Sequence, residues 1–391
     1  MEEHAVKILL VSSHPVQYAA PLYRLYSADP RLEVTVAYCS LQGAAPGIDP
    51  EFGVEVAWDI PLLNGYKWVH PDNISPWPGL GRFFGLVNPG LWTFIKRERF
   101  DVVVCYGYRT ASFCIAAAAA KMSGAALVWT SDAPTLSRPG MTKWKLWMKR
   151  LVLRAMYVLG DGALAPSTAA QRVFEELGFP LDRLFLTPFA VEVDRFSRGS
   201  PTGLRRTLRI SEYDLVVLFV GKLIKRKRPG DLIRAMSDLD RVHIWLAGEG
   251  PLRNELEAIA AVCAPTRVHF LGFRNQKELP SLYAEADCLA VPSDYDPFPV
   301  VVMEAMSTGL PAIVSSAVGS IDDLVKPGET GFVYPVGNAA ALKEQLRVLA
   351  SDRALLLRTG ERARARMDEW GPKQNAEAFA QACLTIAERR S

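Results

Sequence analysis

The chain predicts an α/β protein made of two doubly wound, Rossmann-like domains, each with a parallel sheet. Short apolar runs alternate with amphipathic segments, the runs are β-branched without polar alternation, and the scheme restarts halfway along the 391 residues. A strand buried on both faces has no solvent side to mark with polar residues, so it reads as a continuous apolar run. The length, at 49% hydrophobic residues, exceeds what one ordinary core fills and makes two domains the prior.

In the first half, strands are expected at KILLVSS from Lys7, EVTVAY from Glu33, DVVVCYG from Asp101, ALVWTS from Ala126 and GALAPS from Gly162. Helices are expected at 109–123 (RTASFCIAAAAAKMS) and 142–158 (TKWKLWMKRLVLRAMYV). The second half repeats the pattern with LVVLFVGK from Leu215, VHIWLAG from Val242, VHFLGF from Val268, DCLAVPS from Asp287 and PAIVSS from Pro311. Between the halves, PFAVEVDRFSRGSPTG at 188–203 carries Pro, Gly and Ser and reads as a linker. The expected domains are therefore 1–192 and 204–370, facing each other across a cleft. Ligands of such sheets bind beyond the carboxyl ends of the strands, so the turns after the strands should carry the chemistry.

Composition narrows the class. A net charge of +3, with basic residues dispersed except at 222–228, gives no support to nucleic-acid binding. The six cysteines lack C-x-x-C spacing and several sit in apolar runs, which fits free thiols in a reducing cytoplasm. The start, MEEHAVKILLVSSHP, lacks the basic flank and length of a signal peptide, and no stretch is long enough to span a bilayer. The segment KWKLWMKRLVLRAM combines basic and aromatic residues at helical spacing; the expectation is that its apolar stripe packs on its own sheet, and the alternative is a membrane surface. The aromatic-rich GYKWVHPDNISPWPGLGRFFGLVNPGLW could stack on a second substrate or form a packed loop.

The turn after LVVLFV reads GKLIKRKRPGDLIRAM, where Gly221 permits a sharp turn and Lys222, Lys225, Arg226, Lys227 and Arg228 follow. Cations at a strand terminus suit a diphosphate, with Arg226 and Arg228 expected to be the exposed members. In LAGEGPLRNELEAIA, Gly248 and Gly250 open a helix, but the full dinucleotide fingerprint is absent here and after the first strand, which excludes a nicotinamide enzyme. In DYDPFPVVVMEAMSTGLP at 294–311, a helix should begin near Pro299. Asp296 and Glu304 would then lie roughly 10 Å apart, too far to share one metal ion but suited to accept hydroxyl hydrogen bonds at two points of an extended ligand. The free N–H groups of the helix start would face the ligand's anionic part.

These segments together resemble the retaining GT-B glycosyltransferases of the glycogen-synthase-like superfamily, family GT4. Asp296-PFPVVVM-Glu304 resembles their E-x7-E region, GKLIKRKRPGDLI their phosphate-binding segment, VHFLGF their base-side turn and AVPSDYDPFP the strand leading into the donor loop. VGSIDDLVKPGETGFVYPVGN resembles the stretch after the E-x7-E helix, and SSHPVQYAAPLYRL an N-terminal signature of a subset.

The resemblance implies that Lys222 and Lys227 hold the donor diphosphate, Glu304 the nucleotide ribose, and Asp296 the sugar hydroxyls, with Asp where Glu is usual. Val300 and Val301 offer backbone N–H groups, and Gly221, Gly248, Gly250, Phe273, Phe298 and Pro299 complete the donor-side set. Asp132 lies where many members place a His or Asp beside the reacting centre, so the catalytic set is Asp132, Lys222, Lys227 and Asp296. On the acceptor side stand His14, Gln17, Tyr18 and Arg109; His14 occupies a loop where most members have a Gly-rich turn. The last helix, within 371–391, is expected to cross back to the first domain, as in such relatives.

The implied activity is transfer of a sugar from a nucleoside-diphosphate sugar with retention, without a cofactor. Metal independence is expected, because the lysines and the helix terminus supply the charge that Asp294 and Asp296 would otherwise recruit through an ion. A glycan, lipid-linked glycan, protein or small molecule is admissible as acceptor. A sugar-nucleotide epimerase and an idle nucleotide-binding subunit are the alternatives. A cytoplasmic enzyme, peripheral on a membrane if at all, is the expected setting.

Overall fold

The structure, a computed structural model, describes residues 5–49, 52–137 and 140–390. In chain order the strands are β1 (Val6–Ser12), β2 (Leu32–Tyr38), β3 (Gly47–Ile48), β4 (Glu55–Val56), β5 (Lys67–Val69), β6 (Val102–Tyr106), β7 (Ala126–Thr130), β8 (Gly162–Ala165), β9 (Leu184–Leu186), β10 (Leu215–Val220), β11 (Val242–Ala247), β12 (Val268–Gly272), β13 (Cys288–Val291), β14 (Ala312–Ser315) and β15 (Gly331–Tyr334). They make a seven-stranded sheet in the order β5-β2-β1-β6-β7-β8-β9 and a six-stranded sheet in the order β12-β11-β10-β13-β14-β15, while β3 and β4 form a short antiparallel pair. All pairings within the two larger sheets are parallel. The expected apolar runs are all strands, and β3, β4, β5, β9 and β15 add to them. These are two to four residues long, and the two-residue β3 and β4 are too short to leave a distinct apolar run.

The chain divides into two compact units, one comprising 1–45, 61–190 and 372–391, the other 46–60 and 191–371. The expected 1–192 domain is thus interrupted, because 46–60 belongs with the second unit. Asn275 there donates from Nδ2 to the Ala57 carbonyl at 2.5 Å, and Lys277 N donates to the Asp59 carboxylate at 3.1 Å. The expected linker is also more structured than its composition implies: Val193–Ser197 is a short helix whose Phe196 is fully buried edge-on to Tyr283, 5.9 Å between centroids.

Within the first unit, β1 pairs with β2 and β6, and its side chains alternate between two cores: Leu9 and Val11 enter one, Ile8 and Leu10 the other. The first core is covered by helices Gly90–Glu98, Ala111–Ser123, Lys143–Tyr157 and Thr168–Glu176. The opposite core takes helix Ala20–Ala28 and the terminal helix Pro372–Glu388, whose Phe379 stacks on Tyr26 at 4.0 Å. Asn375 fixes that helix by accepting from the Tyr26 hydroxyl at 2.5 Å and donating to the Pro188 carbonyl at 2.6 Å. Helix Lys143–Tyr157 departs from expectation: Leu153 and Tyr157 are buried, but Trp144, Trp147, Met148, Leu151 and Val152 are exposed.

In the second unit, helix Arg353–Glu369 clamps the carboxyl end of helix Val300–Ser307. Arg364 Nη1 donates to the Ser307 carbonyl at 2.5 Å, and a Cβ added at Gly360 would lie 2.1 Å from the Gly309 carbonyl oxygen. Ala is the better helix former by about 1 kcal/mol, yet the carbonyl it would strike is backbone and can move only with its turn. Gly360→Ala is therefore expected to lower stability by about 1–3 kcal/mol in denaturant unfolding; a stabilised variant would show that the two backbones are not in close contact.

Candidate functional site

In the second sheet, β10 lies between β11 and β13, so successive connections run in opposite directions from it and a crevice opens beyond its carboxyl end. The loops 221–228 and 292–299, which leave β10 and β13, border that crevice. The basic cluster and the Asp-Pro-Phe-Pro stretch, 69 residues apart between Lys227 and Asp296, are brought together there: the Lys227 ammonium donates to the Asp296 carboxylate, both largely buried. Asp294 N also donates to the Arg226 carbonyl at 2.9 Å, and Gly319 N to the Asp296 carbonyl at 2.9 Å.

The β10 loop is shaped by backbone approach. Gly221, at φ +149°, allows the turn, and Leu223 is fully buried beneath it. Gly221 N donates to the Ala247 carbonyl at 3.0 Å and Leu223 N to the Glu249 carbonyl at 2.8 Å, lacing this loop to the one after β11. A Cβ at Gly248 would sit 1.9 Å from the Gly221 carbonyl oxygen, and one at Gly250 2.6 Å from that of Leu223. The Gly-x-Gly pair is thus required by loop-on-loop packing. Among the basic residues, Lys225 is exposed and Arg228 is not, contrary to expectation: Arg228 is half-buried and ion-paired to Asp231 at 2.6 Å.

Lys222 is held by a residue that sequence spacing does not reveal. Its Nζ lies 3.0 and 3.1 Å from the Asp49 carboxylate oxygens and 4.8 Å from the centroid of Phe52. Phe52 in turn meets Phe273 edge-on at 5.2 Å, and Trp58 meets it at 6.1 Å. Segment 46–60 therefore supplies an acid and two aromatics around Lys222 and Phe273.

Helix Val300–Ser307 starts with Pro299 as its N-cap residue and Phe298 buried before it. The first-turn amides of Val300 and Val301 have no carbonyl one turn earlier in the helix to bond to, so they are directed out of its amino end. Glu304, two turns along, is 3% exposed and accepts from the Tyr283 hydroxyl at 2.7 Å. Burial pushes its carboxyl up to about 7, against the lowering effect of the Tyr283 hydrogen bond and the Arg195 charge. Arg195 bonds Gln276 through Nη2 at 2.7 Å and its Nε lies 3.4 Å from the Glu192 carboxylate, while its buried Nη1 has no hydrogen-bond acceptor among the described residues. A buried acid facing a phenol and a guanidinium can accept from a diol or bind as its neutral form.

In the first sheet the direction of connection reverses between β1 and β6, and the loops following β1, β6 and β7 share one edge. They carry His14, Arg109 and Asp132 respectively. His14 Nδ1 shares a hydrogen bond with Ser13 Oγ at 2.9 Å, and its carbonyl accepts from Ser12 Oγ at 3.2 Å. Burial, reinforced by the Asp132 carboxylate, pushes the Tyr18 phenol up to about 12, and Tyr18 packs edge-on to Phe189 at 5.9 Å. Gln17 lies in the turn just before helix Ala20–Ala28, half-buried, while Arg109 and Asp132 are exposed. Elsewhere in this unit, Ile74, Trp77, Phe83 and Phe84 line an apolar cavity of about 480 Å³. Among the described residues, no three His, Cys, Asp or Glu side chains converge as a metal site would require.

Comparison with known proteins matches both halves. The model for Glycosyltransferase Family 4 matches residues 23–195, and the model for Glycosyl transferases group 1 matches residues 202–366. A Methanocaldococcus jannaschii protein named as an uncharacterized glycosyltransferase is 38% identical over 136 residues, 34% of this chain and 35% of its own. A GDP-mannose-dependent alpha-mannosyltransferase of Mycobacterium tuberculosis is 33% identical over 184 residues, 47% of this chain and 46% of its own. The chain thus matches about a third to a half of the length of these curated relatives. The crystal structure of Anabaena HepE in complex with UDP superposes with a TM-score of 0.75 at 19% identity, covering 98% of this chain and all of that one. With matched models over most of its length and two doubly wound parallel-sheet units of the GT-B type, the chain belongs to the family 4 glycosyltransferases.

Proposed function

We propose that the protein transfers a sugar from a nucleoside-diphosphate sugar to an acceptor hydroxyl, with retention of configuration and without a metal. The observation that carries this reading is the meeting of Lys222, Lys227, Asp296 and a helix amino end at the β10–β13 switch point. Two ammonium groups and two outward amides suit a diphosphate, and the carboxylates now holding the lysines are what a diphosphate would replace. Glu304 takes the ribose and Phe273 the base side. The HepE complex contains UDP and the mycobacterial mannosyltransferase depends on GDP-mannose, so uracil and guanine nucleotides are the first to test.

In the proposed reaction, the bond between the anomeric carbon and the diphosphate oxygen breaks as the acceptor oxygen bonds to that carbon from the same face. The acceptor proton passes to the departing phosphate. Lys222 and Lys227 stabilise the charge on that phosphate, which grows as the bond breaks and so lowers the barrier rather than merely tightening binding. Asp296 orients the sugar hydroxyls. Asp132 is assigned to the reacting centre, beside the developing sugar cation, and His14, Gln17, Tyr18 and Arg109 to the acceptor side.

A thermal-shift panel of UDP, GDP, ADP and dTDP, with EDTA and then with magnesium or manganese, tests the donor assignment. Stabilisation by one diphosphate in EDTA is expected; stabilisation only with metal would return Asp294 and Asp296 to consideration as ligands. Lys227→Ala should lower kcat by about a hundredfold or more with a modest loss of folding stability, because it removes charge that acts on the leaving phosphate and leaves the buried Asp296 carboxylate without its cation. Unchanged turnover would withdraw the phosphate assignment. Asp49→Asn, by removing the anion that competes for Lys222, should tighten diphosphate binding several-fold in calorimetry, and weaker binding would make Asp49 part of the site rather than its occupant.

Glu304 gives a pH signature. Its folded-state pKa is raised from the ordinary 4.5 to about 7, so the folded protein holds the proton more tightly than the unfolded chain. That stabilisation is fully present below about 4.5 and is lost as pH rises through about 7, on the order of 3 kcal/mol in all. Ligand-free wild type should therefore lose stability relative to Glu304→Gln across this window in urea titrations. Parallel pH profiles for the two proteins would show that Glu304 is ionised throughout.

A further inference from the structure

Helix Lys143–Tyr157 has two apolar faces, and the fold uses one. Leu153 and Tyr157 are buried in the first-unit core, with Leu146 and Met156 packed against it. At about 100° per residue, Trp144, Trp147, Met148, Leu151 and Val152 gather on the opposite side, and all are exposed. Val158 and Leu159, just past the helix, are exposed as well, 72% and 54%. An apolar stripe directed away from the core it packs on is not explained by folding.

The charges decide what covers it. Lys143 and Arg154 run along one flank of the stripe with Arg150, which pairs with Glu176 at 3.4 Å; Lys145 lies on the other with Lys149, whose Nζ donates to the Leu136 carbonyl at 2.9 Å, and no Asp or Glu occurs between Asp132 and Asp161. Two Trp rings among apolar side chains, bordered on both sides by long cations, match a helix lying in the plane of a lipid surface. The rings sit at headgroup depth, and the Lys and Arg stems reach up to the phosphates. A protein surface carrying both signs of charge would set like charges against Lys143, Lys145 and Arg154. A second exposed aromatic group, Trp77, Phe83 and Phe84, lies in segment 74–87, whose Leu80 and Leu86 pack on the same core and hence over the same sheet face. Among the described residues no helix is long and apolar enough to cross a membrane, so the association would be with the surface.

We propose that helix Lys143–Tyr157 docks the protein, apolar stripe inward, on a bilayer surface rich in anionic lipid. The inference uses a surface apart from the β10–β13 crevice and stands whether or not that crevice holds a sugar nucleotide.

The test is co-sedimentation of the full chain with vesicles of phosphatidylcholine alone and of phosphatidylcholine mixed with phosphatidylglycerol, at low and high salt. Binding is expected to the mixed vesicles, to weaken with salt, and to fall by about tenfold or more in Trp144→Ser/Trp147→Ser and separately in Lys143→Glu/Lys145→Glu. Trp fluorescence of the wild type should shift to the blue on binding, and loss of that shift in the double Trp variant locates the contact. Circular dichroism and melting of the variants, together with their thermal shift by nucleoside diphosphate, verify the fold. Absence of binding to anionic vesicles, or binding unaltered in both variants, would overturn the proposal. So would sedimentation showing a dimer of the free protein that either variant dissociates, since the stripe would then be covered by a second copy.

Discussion

A parallel strand cannot turn back on its neighbour; it needs a crossover, usually a helix, before the next strand can pair. With every strand of a sheet pointing the same way, the loops that end strands are collected at one edge, whatever their separation in sequence. Much of the candidate site follows from this constraint. Lys227 and Asp296 meet because β10 and β13 are neighbours and both loops leave at the carboxyl edge. His14, Arg109 and Asp132 share an edge of the other sheet for the same reason.

The electrostatics of the β10–β13 crevice are balanced within the protein. Lys222 and Lys227 each face a carboxylate, so neither ammonium is left facing bare protein, and a diphosphate would exchange one set of anions for another. Such exchange costs less than desolvating free cations, since the lysines are already oriented and largely removed from water. Glu304 follows the opposite logic. It is buried among a phenol and a guanidinium and has its carboxyl shifted toward neutrality, a state in which it can both donate and accept.

The glycines show how packing and site geometry are linked. Gly248 and Gly250 look like a nucleotide fingerprint in sequence, but their missing side chains make room for the carbonyls of Gly221 and Leu223. They shape the loop after β10 through its neighbour. Gly360, outside any motif, performs the corresponding service at the far end of the helix that carries Glu304.

The sequence alone determined ten strands of the two sheets, because strands buried on both faces cannot be written any other way than as unbroken apolar runs. It also marked the Lys222–Arg228 cluster and the Asp296–Glu304 stretch as chemically loaded, since charge at the end of an apolar run has few structural uses. Tertiary structure decided what depends on contacts distant along the chain. Segment 46–60 belongs with the second unit and sets Asp49 against Lys222, 173 residues away. Tyr283 and Arg195 surround Glu304, and Arg228 turns to Asp231 while Lys225 faces solvent. Helix Lys143–Tyr157 was the element whose pattern admitted two burials at once: periodicity counts apolar faces, and only the packed fold shows which of them has been covered.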